Sequence, residues 1–142
     1  MGPGTMYAKG QGVLQDYAEA VKWYRLAAAQ GNAMAQESLG FMYANGQGVL
    51  QDYAEAVKWY RLAAAQGNAM AQANLGLRYA KGEGVPQDYI LAHMWFNLAA
   101  GKGAVNGVQS RDIMAKILTP EQMAEAQKLA RECHARNFKG CD

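Results

Sequence analysis

The sequence predicts an all-α fold of stacked helical hairpins, on three observations. Twenty-seven alanines stand against only 12 Val, Ile and Thr residues together, a balance that favours helix over strand. Residues 16–51 and 52–87 agree at 29 of 36 positions, and self-similarity at a fixed period of about 20 to 50 residues marks a repeat architecture. Within each copy, capping residues and glycine clusters bound two helical apolar patterns, so each copy supplies one hairpin.

Taken in order, residues 1–6 read as a scar of cloning or the end of a truncated repeat, and residues 7–15 as the tail of an earlier copy. In the copy that begins at Asp52, the Asp52 carboxylate can accept from the free N–H groups of the first turn. Glu55 stands three residues later, in the capping-box position. A helix from about Asp52 to Gln66 follows, closed by Gly67 and Asn68, which tolerate left-handed geometry. The next helix spans about Ala69 to Ala80 and ends at the Gly82, Gly84 and Pro86 cluster. Ala20, Ala27, Ala28 and Gly40 permit close helix approach, while Trp23, Tyr24, Leu39 and Tyr43 supply the bulk between helices. Asp88 and Tyr89 open a third copy, in which Trp95 keeps the spacing of Trp23 and Trp59. Repeats thus occupy residues 7–103.

Residues 104–142 read as a degenerate terminal unit. Arg111 and Asp112 stand where the period would place a Leu-Gly pair, so the close approach allowed by Gly40 and Gly76 should not recur there. Thr119 as cap, Pro120 at the first helical position and Gln122 at the capping-box position start a last helix, to about Arg136. Its Glu121, Glu125, Lys128, Arg131 and Glu132 supply the polar outer face that a terminal solenoid unit needs.

The register formed by Ala35, Leu39, Gly40, Tyr43, Gly46, Gly48, Val49, Asp52, Ala56, Trp59, Tyr60, Ala63, Ala64 and Gly67 recurs one period later from Ala71 to Gly84. It resembles the Sel1-like repeat, a relative of the tetratricopeptide repeat. The resemblance covers about residues 7–103, and the remainder is similar to the ending of many bacterial members. It implies a right-handed α/α superhelix with a C-terminal capping helix. Helices such as Ala33–Ala44 (helix A) would line the concave side and those such as Asp52–Gln66 (helix B) the convex side. Some cysteine-rich members have been linked to penicillin binding and β-lactam hydrolysis, but the cysteine pair of each of their repeats is missing here.

Few residues point to chemistry. Ser38, Ser110, Thr5 and Thr119 are the hydroxyl nucleophiles available, and none lies in a Gly-x-Ser-x-Gly or Ser-x-x-Lys pattern. The recurring pairs Asp16/Glu19 and Asp52/Glu55 have a sufficient explanation in helix capping. The Gly-x-Gly pairs follow helix C-termini, whose dipole repels phosphate. His93 replaces Val21 and Val57 of the earlier copies and reads as a packing or surface residue, and Met34, Met42, Met70 and Met94 suit a core or groove. No metal and no cofactor is expected. A net charge of +2 gives no reason to expect nucleic acid. No apolar run approaches the roughly 20 residues of a membrane span. The start has no signal-peptide pattern, which carries little weight if a native segment has been cut away.

Cys133 and Cys141 suit a disulfide, with Gly140 letting the chain turn back. Closing so short a loop removes about 2.5 kcal/mol of unfolded-state entropy, and the bond favours a periplasmic or secreted protein over a cytoplasmic one. Two alternatives stay open at this point: a reduced pair in the cytosol, or a zinc site with His134.

Seven positions differ between the complete copies: Glu37/Ala73, Ser38/Asn74, Phe41/Leu77, Met42/Arg78, Asn45/Lys81, Gln47/Glu83 and Leu50/Pro86. The first five fall on one helix at offsets of 0, 1, 4, 5 and 8, a single face. Helix B is identical in both copies, although Lys22/Lys58 and Arg25/Arg61 should be solvent-facing and free to vary, which points to recent duplication or engineering. The expected partner site is therefore Glu37, Ser38, Phe41, Asn45, Asn74, Leu77, Arg78 and Lys81, on the face that the resemblance implies is concave. Phe41 and Leu77 would be apolar anchors, and Arg78 and Lys81 would grip a carboxylate. The alternative to binding is drift on an exposed face. The function read from the sequence is a noncatalytic scaffold for a protein or peptide segment, with homodimerisation or end-to-end stacking through exposed apolar helix faces left open beside it. The competing readings are an exported cell-wall or β-lactam-binding protein with weak hydrolase activity, and a truncated or engineered array.

Overall fold

The computed structural model describes residues 16–142, and these contain seven helices: α1 (Tyr17–Ala29), α2 (Ala33–Asn45), α3 (Tyr53–Ala64), α4 (Ala69–Lys81), α5 (Tyr89–Gly101), α6 (Val105–Ile117) and α7 (Pro120–Ala135). The readings made for residues 1–15 lie outside the described residues. Each helix from α1 to α5 packs on its successor, so the described chain is an all-α solenoid of stacked hairpins. α2, α4 and α6 occupy the helix-A position; α1, α3 and α5 the helix-B position.

The caps form largely as the residues dictate. Oδ1 of Asp16, Asp52 and Asp88 accepts from the backbone N–H three residues on, at 3.1, 3.0 and 3.0 Å. The expected reciprocal bond from Glu55 is absent, because the Asp52 N–H already donates to the Tyr43 carbonyl at 2.9 Å; Glu55 faces Lys58 at 3.7 Å instead. Asn68 does not close α3 in left-handed geometry: it is the extended N-cap of α4, accepting from Ala71 N–H, while Gly67 makes the left-handed turn. Thr119 and Gln122 form a complete capping box at α7.

Gly40 and Gly76 set the tight A–B packing. A Cβ on Gly40 would lie 2.8 Å from the Tyr60 ring, and one on Gly76 2.8 Å from the Phe96 ring. Asp112, at the corresponding point of α6, is exposed, and α7 packs on α5 rather than completing a hairpin with α6. A close approach to α5 nonetheless occurs, shifted to Gly107 near the start of α6, where a Cβ would meet Ala100 N at 2.8 Å and Phe96 O at 2.9 Å.

Capping changes burial at equivalent positions. Leu26 and Leu62 are 54% and 46% exposed, whereas Leu98, on the helix that α7 covers, is 8% exposed. On α7, Glu121, Glu125, Lys128 and Arg131 are exposed and Glu132 half-buried. Cys133 and Cys141 are joined by a disulfide, which excludes the zinc reading for that pair. The bond folds the tail back so that the Asp142 carboxylate accepts from Tyr79 Oη at 2.6 Å and Arg61 Nε at 3.0 Å.

Candidate functional site

The helix-A positions α2 and α4 border two adjoining hollows whose floors come from α1 and α3. The first, about 370 Å³, is lined by Glu37, Ser38, Phe41 and Met42 of α2, with Met70 from α4 and Tyr17 and Tyr24 from α1. The second, about 310 Å³, takes Phe41 and Asn45 from α2, Asn74, Leu77, Arg78 and Lys81 from α4, and Tyr53 and Tyr60 from α3. Phe41 lines both, so the two form one groove divided by its ring. The structure thus brings all eight expected site residues to one groove, Glu37 and Ser38 in the first hollow and the rest around the second.

The chemistry of the groove differs from the expectation at Arg78. Its side chain is buried, with Nη1 3.1 Å from Glu83 Oε1 and its guanidinium 5.1 Å from the Tyr53 ring centre. Its Nε has no hydrogen-bond partner among the described residues. Its charge is therefore already balanced inside the protein. The left-handed C-cap at Gly82 folds the chain so that Glu83 N–H donates to the Arg78 carbonyl at 3.0 Å, placing residue i+5 back over residue i. Two of the seven copy differences, Met42/Arg78 and Gln47/Glu83, are consequently one coupled exchange of a neutral pair for an ion pair.

Lys81 is exposed and remains the cation at the rim. Asn45 Nδ2 and Asn74 Nδ2 donate to carbonyls of their own helices, Phe41 O at 2.8 Å and Met70 O at 3.0 Å, so each amide has its carbonyl oxygen left as an acceptor. Burial raises the Glu37 carboxyl above its ordinary value. Burial also pushes the Tyr60 phenol up, helped by Glu37 and opposed by Arg78. The groove is thus aromatic and apolar in its floor, with acceptors along its walls and a lysine at one end. Ser38 lies in the first hollow beside Glu37, and Ser110 is half-buried on α6.

Sequence reasoning missed the floor. Tyr17, Tyr24, Tyr53 and Tyr60 are the same in both copies, so a search for differences passes over them; their spacing of seven on one helix face was the available signal. The conserved-looking helix-B arginines also have work within the fold. Arg25 donates to the Tyr43 hydroxyl, and Arg61 to the Tyr79 hydroxyl at 2.9 Å, bridging each B helix to the following A helix. Burial opposes the Arg61 charge, but its hydrogen bonds to Tyr79 and Asp142 outweigh it and raise the pKa. Of the methionines, Met42 and Met94 are buried, Met70 lines the groove and Met34 is exposed. His93 is buried and its Nδ1 has no hydrogen-bond partner among the described residues.

The Sel1 repeat model matches residues 1–32, 33–68 and 69–103. The crystal structure of a protective antigen from uropathogenic Escherichia coli strains, displaying an SLR fold, is similar at a TM-score of 0.89 and 35% identity. The match covers 97% of this chain and 30% of the antigen, so this chain spans under a third of that protein's length. A Sel1 repeat protein from Oxalobacter formigenes is similar at a TM-score of 0.69 and 39% identity, over 77% of this chain and 82% of that one. No curated protein matches the chain.

Proposed function

This chain belongs to the Sel1 repeat family, and from that premise we propose that it is a noncatalytic scaffold whose helix-A groove holds an extended segment of a partner protein. Sel1-repeat proteins are in general protein-interaction scaffolds. The observation that carries the finer reading is the pair of adjoining hollows of about 370 and 310 Å³ that meet at Phe41 along α2 and α4, bordered by positions at which two otherwise near-identical copies differ. An identical pair of hollows would accept the same side chain twice; these two do not. The first offers Phe41 and Met70 to an apolar side chain. The second offers Leu77 as a wall and Lys81 as the partner for a carboxylate, with the Arg78–Glu83 pair as a fixed polar floor. Peptide N–H groups of a bound strand would donate to the Asn45 and Asn74 carbonyl oxygens. The disulfide favours an oxidising compartment, and we place the protein in the periplasm or outside the cell.

The test is affinity enrichment from envelope extracts with wild type and a Phe41→Ala, Lys81→Glu variant of unchanged helicity and Tm. Arg78 is left intact, because removing it would strand Glu83. A partner held by wild type and weakened by about 2 kcal/mol or more in the variant is the expected result. Equal retention by both proteins would move the contact off the helix-A groove.

A further inference from the structure

A separate hollow of about 480 Å³ lies between the C-terminal parts of α5 and α7. Facing helices ordinarily interlock and leave few voids larger than a water molecule. Here Gly101 and Ala130 face the gap, and a Cβ built on Gly101 would find nothing within 4 Å. The walls are unlike those of the groove. Lys102, Arg131 and the imidazole of His134 border the hollow, and among the described residues no carboxylate lines it. Asn97 and Gln127 add carboxamides. The Asn97 oxygen is engaged by Arg111 Nη1 at 3.3 Å, which leaves its NH₂ group to donate.

The mouth is held in an unfavourable backbone conformation. Asn137 and Phe138 are consecutive non-glycine residues at φ 53° and 67°, a left-handed geometry that asparagine tolerates but that costs about 1–2 kcal/mol at Phe138. The tail is pinned around them by the Cys133–Cys141 disulfide and by Lys139 Nζ, which donates to the Ala65 carbonyl at 2.7 Å. The result is a fixed Phe138 ring, 4.8 Å from Lys102 Nζ and edge-on to His134 at 5.6 Å between ring centres. Strain that the surrounding structure over-determines is characteristic of ligand clamps. Leu98 supplies a further apolar wall.

We propose that this hollow binds a carboxylate carried on a short apolar body, with Arg131 and Lys102 on the carboxylate and Leu98 and Phe138 on the body. A free small organic acid and the C-terminus of a peptide ending in an apolar residue share that chemistry. The size, within the roughly 300–1,000 Å³ of small-ligand sites, suits either.

Amide shift mapping on the disulfide-bonded protein tests the site with three probes: phenylpropionate, N-acetyl-Ala-Leu acid, and the C-terminal amide of that dipeptide. Saturable shifts at Asn97, Gly101 and Arg131 are expected with an acid, and at least about tenfold weaker binding of the amide. Arg131→Gln and Lys102→Gln should each weaken the acids by about tenfold. Gly101→Leu, which has room to enter the hollow, should abolish binding at unchanged Tm. Tighter binding of the peptide acid than of phenylpropionate would identify a peptide terminus as the source, and the reverse order a free acid. No saturable shift at millimolar acid, equal binding of acid and amide, or full binding by both Gly101→Leu and Arg131→Gln would overturn the proposal.

Discussion

Glu37, which lines the first hollow, is held there at a cost in stability at neutral pH. Burial raises its carboxyl from 4.5, so the folded chain holds the proton more tightly than the unfolded one. Its contribution is favourable below about pH 4.5 and becomes a penalty as pH rises through the raised folded value. Glu37→Gln should therefore raise Tm near pH 7 and leave it nearly unchanged near pH 3, as read by calorimetry at both; equal gains would contradict the assignment. His93 runs the other way. Burial first, then Arg111, lowers its pKa from 6.5 against a smaller opposing effect of Asp112, so stability is retained above 6.5 and falls as pH drops below it. Two glycines separate conformational from steric demand. Gly31 has φ +92° and nothing within 4 Å of a Cβ, whereas Gly84 has φ +80° and a Cβ would lie 2.4 Å from Tyr53 O. Urea unfolding should show Gly31→Ala losing about 1 kcal/mol and Gly84→Ala about 3 kcal/mol. At this scale the sequence identified the groove residues but not the role of Arg78. Pairing between positions 78 and 83 depends on the chain reversing at Gly82, and an offset of five within a continuous helix would put the two on different faces.

The helices were legible because their signals are local: a carboxylate or amide cap, an apolar stripe, a terminating glycine. Their boundaries follow within two or three residues, with α3 ending at Ala64 and α4 running on to Lys81. The fold-back of the tail was only half legible. Cys133 and Cys141 announce a short loop, but Asp142 meets partners 63 and 81 positions away, and no spacing rule reaches that far. The tail locks the terminal unit onto α3 and α4, and the Tyr79 phenol it engages is pushed up to about 12, by burial first and by Asp142 second. Replacing both cysteines with alanine should lower stability by about 2.5 kcal/mol in chemical denaturation. Asp142→Asn should lose about 1 kcal/mol, since the Arg61 side chain is 45% exposed and its pairing partly screened by solvent. A negligible effect of both changes would mean that the tail contributes nothing to the cap.

Across the whole molecule, the 36-residue period made the architecture readable: similar units that cannot bury their apolar faces alone must stack. What the period conceals is that equivalent residues differ in exposure. Trp23 is 40% exposed and Trp95 2%, because the identity of the next neighbour, and not the residue, decides burial. The same logic hides the groove's tyrosine floor and reveals its rim, where the copies diverge. The central claim, that a partner segment lies along α2 and α4, is tested most directly by photo-cross-linking in envelope extracts. A cross-linking amino acid would replace Phe41 in the groove, Leu77 across it, or Leu62 on the exposed face of α3. The account predicts one protein captured from positions 41 and 77, absent from position 62, and lost when Lys81→Glu is added. Capture from position 62 alone would contradict it and place the interaction on the helix-B face.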